Sequence, residues 1–397
     1  MKTVTLRHER SKRVLIIHTE GNSFNNPSLK CTIDLLLEKG CQIDLRYQRS
    51  HASMPPVKGV RFIPFGPIIG LFKSLIYNRL CAWPLVILSV SFEHCLLYKK
   101  YDLIIGVDRH GLIEASVLNK FSETPYVFIS FEIMFERETS ARYKSLERTA
   151  SKGVSLWIVQ DEVRAQQLQV ENFLQSSNKF LLPLASAGVG SLKDERLRDR
   201  LGIPDEKKVA IVIGSVYGWS MISQIIKSVV DWPEEWVLII HERYGRTSEL
   251  LAVEVAAVEN LINCKIFISD VATETVDDMG SILAGVSVGL AFYEADFKGP
   301  YTGKNLVYLG LSSGKINTYL RYGVPVIINE IGLYAEETRL YRFGCVVELP
   351  EQIPDKLDEI DHEEYRINAR NYFAKKLDFN IYSNDIWSRL LSSMERI

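Results

Sequence analysis

The 397-residue sequence has no run of about 20 apolar residues, the length a bilayer-spanning helix needs. Its most apolar region is 62–98. The longest uncharged stretch there, Leu80–Phe92, has thirteen residues and contains Pro84. No transmembrane segment is expected. The start, MKTVTLRHERSKR, is charged and lacks the apolar stretch of a secretory signal. The six cysteines form no C-x-x-C and no Cys/His group at zinc spacing. They read as reduced, buried thiols of a cytoplasmic protein. No G-x-G-x-x-G follows the first strand-like run, which argues against a nicotinamide dehydrogenase. No aromatic-basic nucleic-acid module is visible, so no nucleic-acid partner is expected.

What is present is an ordinary globular composition, 47% hydrophobic and 24% charged. At about 150 residues per domain, the length allows two to three domains. Charge is unevenly divided. Residues 1–187 hold 24 basic and 17 acidic residues, a net of +7, and residues 188–397 hold 23 and 32, a net of −9. Two lobes with different partners are implied.

Short apolar runs alternate with helix-like segments. Arg13–His18, Gln42–Tyr47, Val60–Pro64, Asp102–Val107, Tyr126–Ser130, Leu156–Gln160 and Lys179–Leu182 read as strands. Continuous apolar strands separated by helices are the pattern of a parallel sheet covered on both faces. The polar stretch 186–208 reads as a crossing. The pattern then restarts with Val209–Ile213, Trp236–Ile240, Lys265–Ser269, Val286–Phe292, Pro325–Ile328 and Cys345–Glu348. The expected fold class is α/β, with two tandem Rossmann-like domains and a cleft between them. Ligands of open α/β sheets sit at the carboxyl ends of the strands.

The segment 299–330 carries the most chemistry. GPYTGK (299–304) and GLSSGK (310–315) each leave three residues between the glycines, and Asn305 or Ile316 follows the lysine. Neither is a Walker loop. Ser312, Ser313 and Gly314 still precede a helix expected over 315–322. Backbone N–H groups at a helix start bind anions, and Lys315 adds a charge. The alternative is that Ser312 or Ser313 simply caps the helix.

Ser-Ser-x-Lys, one helix, then Gly-x-Pro-Val-Ile (Gly323 to Ile327) resembles the donor site of GT-B glycosyltransferases, especially the retaining family 4 type. The general resemblance runs from Arg13 to about Ile397, and the motif match is confined to 299–330. It implies an acceptor-side domain over 1–187, a nucleotide-sugar domain over 188–375, and a helix over 376–397 that packs back on the first domain. It implies a hexosyltransferase-like, retaining enzyme of cell-surface polysaccharide synthesis. Donor contacts would come from Gly214, Ser215, His241, Arg243, Lys304, Ser312, Ser313, Gly314, Lys315, Asn317 and Thr318. Lys315 and Glu132 would be catalytic, with Glu132 orienting the acceptor or acting as base. Gly21, Asn22, Ser23, Asp108 and His110 would stand on the acceptor side. The acids Glu294 and Asp296 would approach the donor sugar. No metal or cofactor is expected beyond the nucleotide sugar, and no D-x-D pair of a metal-dependent GT-A enzyme occurs.

Two departures stand out. The family's paired glutamates fall on Gly310 and Thr318, and its Arg/Lys pair is absent from the loop Gly214–Trp219. Two other readings therefore stay open: a sugar-nucleotide epimerase, and a non-catalytic binding protein of the same fold. Residues 1–100 carry fifteen basic and six acidic residues, and 62–98 mixes these with large apolar side chains. Peripheral contact with an anionic membrane and a lipid-linked acceptor are expected from that mixture. A buried helix pair is the alternative.

Overall fold

The computed structural model describes residues 10–19, 23–48, 56–97, 99–242, 245–273 and 279–395. The apolar runs form strands where they were expected. Seven parallel strands make the first sheet: β1 (Arg13–His18), β2 (Gln42–Gln48), β3 (Val60–Phe65), β4 (Leu103–Val107), β5 (Tyr126–Ile129), β6 (Leu156–Val159) and β7 (Lys179–Leu181). Their order is β3-β2-β1-β4-β5-β6-β7. The second sheet has six: β8 (Lys208–Ile213), β9 (Trp236–His241), β10 (Ile266–Ser269), β11 (Val288–Ala291), β12 (Val326–Ile328) and β13 (Gly344–Val346), ordered β10-β9-β8-β11-β12-β13.

All pairings are parallel, and β4, β5, β6, β9 and β11 are buried along their whole length. Such strands cannot alternate apolar with polar residues, which is why continuous runs signalled them. Each sheet reverses its order beside its first strand, β1 against β4 and β8 against β11. Those are the switch points where a ligand crevice opens.

Helices cover both sheets. Pro27–Glu38 starts on Pro27, and the Asn26 side chain caps it by accepting from Leu29 N–H. Helix Phe379–Met394 sends Phe379, Ile386, Leu390 and Met394 into the core of the first sheet, beside Val14, Ile33 and Ile129. Among the described residues no helix is long and apolar enough to cross a membrane. Cys31, Cys41, Cys81 and Cys345 are buried free thiols, but Cys264 is exposed, against the expectation of buried cysteines throughout. It lies in the turn between residues 259–261 and β10, outside the apolar core.

A cluster of buried charges fastens the 67–97 segment to the first sheet. Lys73 Nζ donates to Glu114 Oε1 at 2.6 Å, and Arg46 lies 3.7 Å from the other carboxylate oxygen. Burial alone would raise the Glu114 pKa, but Lys73 and Arg46 outweigh it and hold the carboxyl below its usual range. Arg109, also buried, donates to the carbonyls of Tyr77 and Tyr143.

Candidate functional site

A cleft of about 1160 Å³ lies where the two switch points face each other. From the first sheet, His18 ends β1 and Thr19 follows it, and Phe131 and Glu132 follow β5. From the second, Gly214 and Ser215 follow β8, His241 ends β9, and Tyr293 follows β11. Ser312 to Lys315 close one side. The cleft exceeds the roughly 300–1,000 Å³ of common small-ligand pockets, so it has room for two substrates.

Helix Gly314–Arg321 points its start into the cleft. Ser313 takes the capping role: its Oγ accepts from Ile316 N–H at 3.1 Å and lies 2.5 Å from the Tyr293 hydroxyl. Ser312 donates to Leu309 O. Both serine hydroxyls are thus spent on local structure. Gly310–Gly314 also spells the G-x-S-x-G of a hydrolase nucleophile elbow, but no strand leads into it and Ser312 faces a carbonyl.

What the helix start offers is the Lys315 ammonium. Lys315 is half-buried, sits 5.5 Å from the Tyr293 ring centroid, and forms no salt bridge among the described residues. Desolvation pushes its pKa down to about 8. Such a group gains most from an arriving anion. Gly214 lies beside it. Its φ of +82° belongs to the left-handed region that favours glycine, and a Cβ there would make only an ordinary 3.8 Å contact with Lys315 Cε. Among the described residues that line the cleft, Lys315, Arg246 and Arg164 stand against the carboxylate of Glu132, with Arg246 also 3.6 Å from Glu242. The described lining is therefore electropositive.

The two domains are pinned together beside the cleft. Asn305 exchanges two hydrogen bonds with Ile133, Oδ1 accepting from its N–H at 2.9 Å and Nδ2 donating to its carbonyl at 2.8 Å. Arg164 donates to Gln160, to Phe131 O at 2.6 Å, and across the junction to Tyr308 O at 3.1 Å. Burial pulls its pKa down, while Glu132, Asp161 and Asp108 favour its charge. Asp161 Oδ2 accepts from Leu311 N–H at 2.7 Å, and Glu138 accepts from Lys304 N–H at 2.6 Å. This explains Gly310. It has φ +56°, and a Cβ there would collide with the Asp161 carboxylate. Position 310 cannot carry an acid while Asp161 packs on it.

Several expected site residues do other work. Lys304 does not line the cleft; its ammonium lies 5.2 Å from the Phe135 ring centroid. Asn317 is buried and joins Leu184 O, Leu311 O and the Tyr334 hydroxyl. Thr318 does line the cleft. His241 is fully buried in the cleft wall, with Nδ1 2.9 Å from the Ser269 hydroxyl. His110 leaves the cleft for Asn78 Oδ1 at 3.0 Å, and Ser23 is buried against His18 Nδ1 at 2.9 Å. Gly21, Asn22 and Arg243 lie outside the described residues. Glu294 is exposed, and Asp296 accepts from the Thr302 hydroxyl at 2.5 Å and from Lys298 N–H; neither lines the cleft.

Asp108 braces the Phe131–Glu132 backbone. Its Oδ1 accepts from the N–H groups of Phe131 (2.7 Å) and Glu132 (3.0 Å), from a backbone with φ +51°. Asp108→Ala leaves both donors without that acceptor. We expect it to cost about 2 kcal/mol of stability, read as a lower urea midpoint.

The sequence reading missed Arg164, Asn305, Trp219 and Tyr293. Trp219 stacks on Tyr293 at 5.8 Å and 20°. Tyr293 stood immediately after the predicted strand Val286–Phe292, which was signal enough. Arg164 and Asn305 gave none, because their role exists only across the domain junction.

Neither a protein-family model nor a curated protein sequence matches this chain. Solved structures do. HepE of Anabaena, in complex with UDP and glucose, superposes with a TM-score of 0.66 at 15% identity, covering 96% of this chain and 99% of its own. Sucrose-phosphate synthase of Thermosynechococcus elongatus gives 0.66 at 12% identity, over 96% and 100%. WaaG, a glycosyltransferase involved in lipopolysaccharide biosynthesis, gives 0.63 at 13% identity, over 94% and 99%. These are GT-B structures, and the present chain has the GT-B fold.

Proposed function

We propose that this GT-B protein is a glycosyltransferase that moves a sugar from a nucleoside-diphosphate donor to an acceptor hydroxyl. The observation that carries the reading is the Lys315 ammonium, held at the start of helix Gly314–Arg321 without an ion-pair partner among the described residues, and lining a two-domain cleft. In the reaction the bond between the anomeric carbon and the diphosphate oxygen breaks, and its electron pair stays on that oxygen. Lys315 and the helix start stabilise the charge that develops there. Glu132, across the cleft, orients the acceptor hydroxyl, whose oxygen forms the new bond. Retention of configuration is the expected course, with the hydroxyl proton passing to the departing phosphate oxygen. The pinned domains keep water from the donor.

HepE and WaaG support the finer reading. HepE was solved with UDP-glucose, and WaaG acts in lipopolysaccharide biosynthesis. Uridine diphosphate donors and a glycan or lipid-linked acceptor of cell-surface polysaccharide synthesis are the expected substrates here, with no metal requirement.

Titration calorimetry with UDP, GDP, ADP and CMP tests this. One nucleotide should bind to the wild type and lose most of its affinity to Lys315→Ala. Binding of none would favour a non-catalytic GT-B protein.

A pH dependence follows from the same group. Free Lys315 titrates near 8, and a bound diphosphate raises that value. Below about 8 the ammonium is already present and affinity is flat. Above it, binding must recruit a proton, and affinity should fall by up to about tenfold per pH unit. Binding heats in buffers of different ionisation enthalpy at about pH 9 should report proton uptake. A flat affinity between about pH 7 and 10 would exclude Lys315 from the diphosphate site.

A further inference from the structure

Helix Pro67–Ser74, with the turn Leu75–Leu80 that continues it, is built inside out. Its inward side carries Lys73, Ile76 and Tyr77, and Lys73 is 3% exposed. Its outward side carries Ile68 (82% exposed), Leu71 (73%), Phe72 (56%) and Leu75. Those outward positions repeat at i, i+3, i+4 and i+7, the spacing of one helix face. A helix sorted by water alone would turn the apolar stripe inward and the lysine outward. It is prevented from rolling over. The ion pair of Lys73 with Glu114 and the Arg109 bond to Tyr77 O fix the orientation from within.

The next helix, Trp83–Leu97, repeats the arrangement. Val86 and Val90 are fully buried, while Leu85, Leu88 (68%) and Phe92 (68%) are exposed at i, i+3 and i+7. Two successive helices thus hold large apolar faces to the outside.

The charge around them selects the occupant. From Arg46 to Lys100 the sequence has eight basic residues and one acid, Glu93. Of these, Arg46 and Lys73 are buried against Glu114 and Arg61 is paired with Asp44, while Lys58, Arg79 and Lys100 are exposed. An apolar face flanked by exposed cations matches a lipid surface bearing negative headgroups. The face also borders the cleft. A Cβ on Gly70 would stand 2.8 Å from the Gln48 amide, and Gln48 lines the cleft.

We propose that the outward faces of residues 67–92 seat in the interfacial layer of an anionic lipid bilayer, and that the bilayer presents the acceptor to the cleft. The second half of this statement rests on the glycosyl-transfer reading; the first does not.

Flotation with vesicles of equal parts phosphatidylcholine and phosphatidylglycerol tests it, using Leu71→Glu/Phe72→Glu. Both positions are exposed, so the fold should survive. Val253→Glu/Leu340→Glu, on exposed sites of the second domain, controls for added charge. Wild type and control should float, and Leu71→Glu/Phe72→Glu should partition on the order of 100-fold less. The neutral Leu88→Ser/Phe92→Ser should also lose partitioning, which separates the apolar contribution from charge. UDP titration should be unchanged in every variant. Wild-type protein that stays free of the vesicles would overturn the proposal, as would undiminished flotation of Leu71→Glu/Phe72→Glu. So would a lipid-free dimer that the same substitutions disperse, because the face would then cover a second copy. Loss of UDP binding by the wild type with flotation intact would sink the transfer reading alone.

Discussion

On the proposed transfer reaction, Lys315→Ala should lower turnover by about 100- to 1,000-fold, the usual cost of removing one donor aimed at developing negative charge. The size follows from the surroundings. The ammonium is half-buried in the cleft wall and partly desolvated, so its field acts on the diphosphate with less screening than in open water. The same substitution should raise the thermal midpoint of the nucleotide-free protein, since it removes a partly desolvated charge that forms no salt bridge among the described residues. Falling activity with rising stability separates a functional lysine from a structural one. Lys315→Arg should not restore the rate. A planar guanidinium in the space shaped for a compact ammonium beside Gly214 would displace its neighbours. Steady-state rates and a melting curve on the same preparations check both halves. Turnover within about threefold of wild type would remove Lys315 from the mechanism.

Arg164→Met should cost about 3–5 kcal/mol, because it leaves buried acceptors on both sides of the domain junction without their donor. Phe131 O and Gln160 Oε1 lie on the first domain and Tyr308 O on the second. The loss therefore falls on the junction as well as on one core. We expect a lower urea midpoint together with a larger radius of gyration in solution scattering. Donor KM should rise with it, since Ser312 to Lys315 follow the pinned loop and would drift from Glu132. Asn305→Ala should shift the same three readouts in the same direction, by less. An unchanged scattering profile in Arg164→Met would mean the clasp does not hold the cleft in shape.

The fold was legible because parallel strands buried on both faces announce themselves as short, unbroken apolar runs. Arg13–His18 and Trp236–His241 need no partner information to be read as strands. Residues just past strand carboxyl ends line the cleft, Glu132 and Gly214 among them, and Lys315 lines it from a helix start. What single loops do was less legible. Ser313 caps its helix, Asp108 braces the Phe131–Glu132 backbone, and Asn317 ties Leu184 to Tyr334. Each of those roles depends on an atom remote in sequence. Gly310 is the plainest case. Its lack of a side chain reads as a missing acid until Asp161, from the other domain, is seen to fill the space.

The helix Phe379–Met394 lends Phe379, Ile386, Leu390 and Met394 to the core of the first sheet. That has a consequence for biosynthesis. On the ribosome, the lobe made first cannot finish its interior until the lobe made second has been translated and this helix emerges. Until then it carries an uncovered apolar seam, which chaperones or a neighbouring nascent chain can engage. A translational stall in the second half would leave a sticky, half-closed intermediate rather than an independent folded domain.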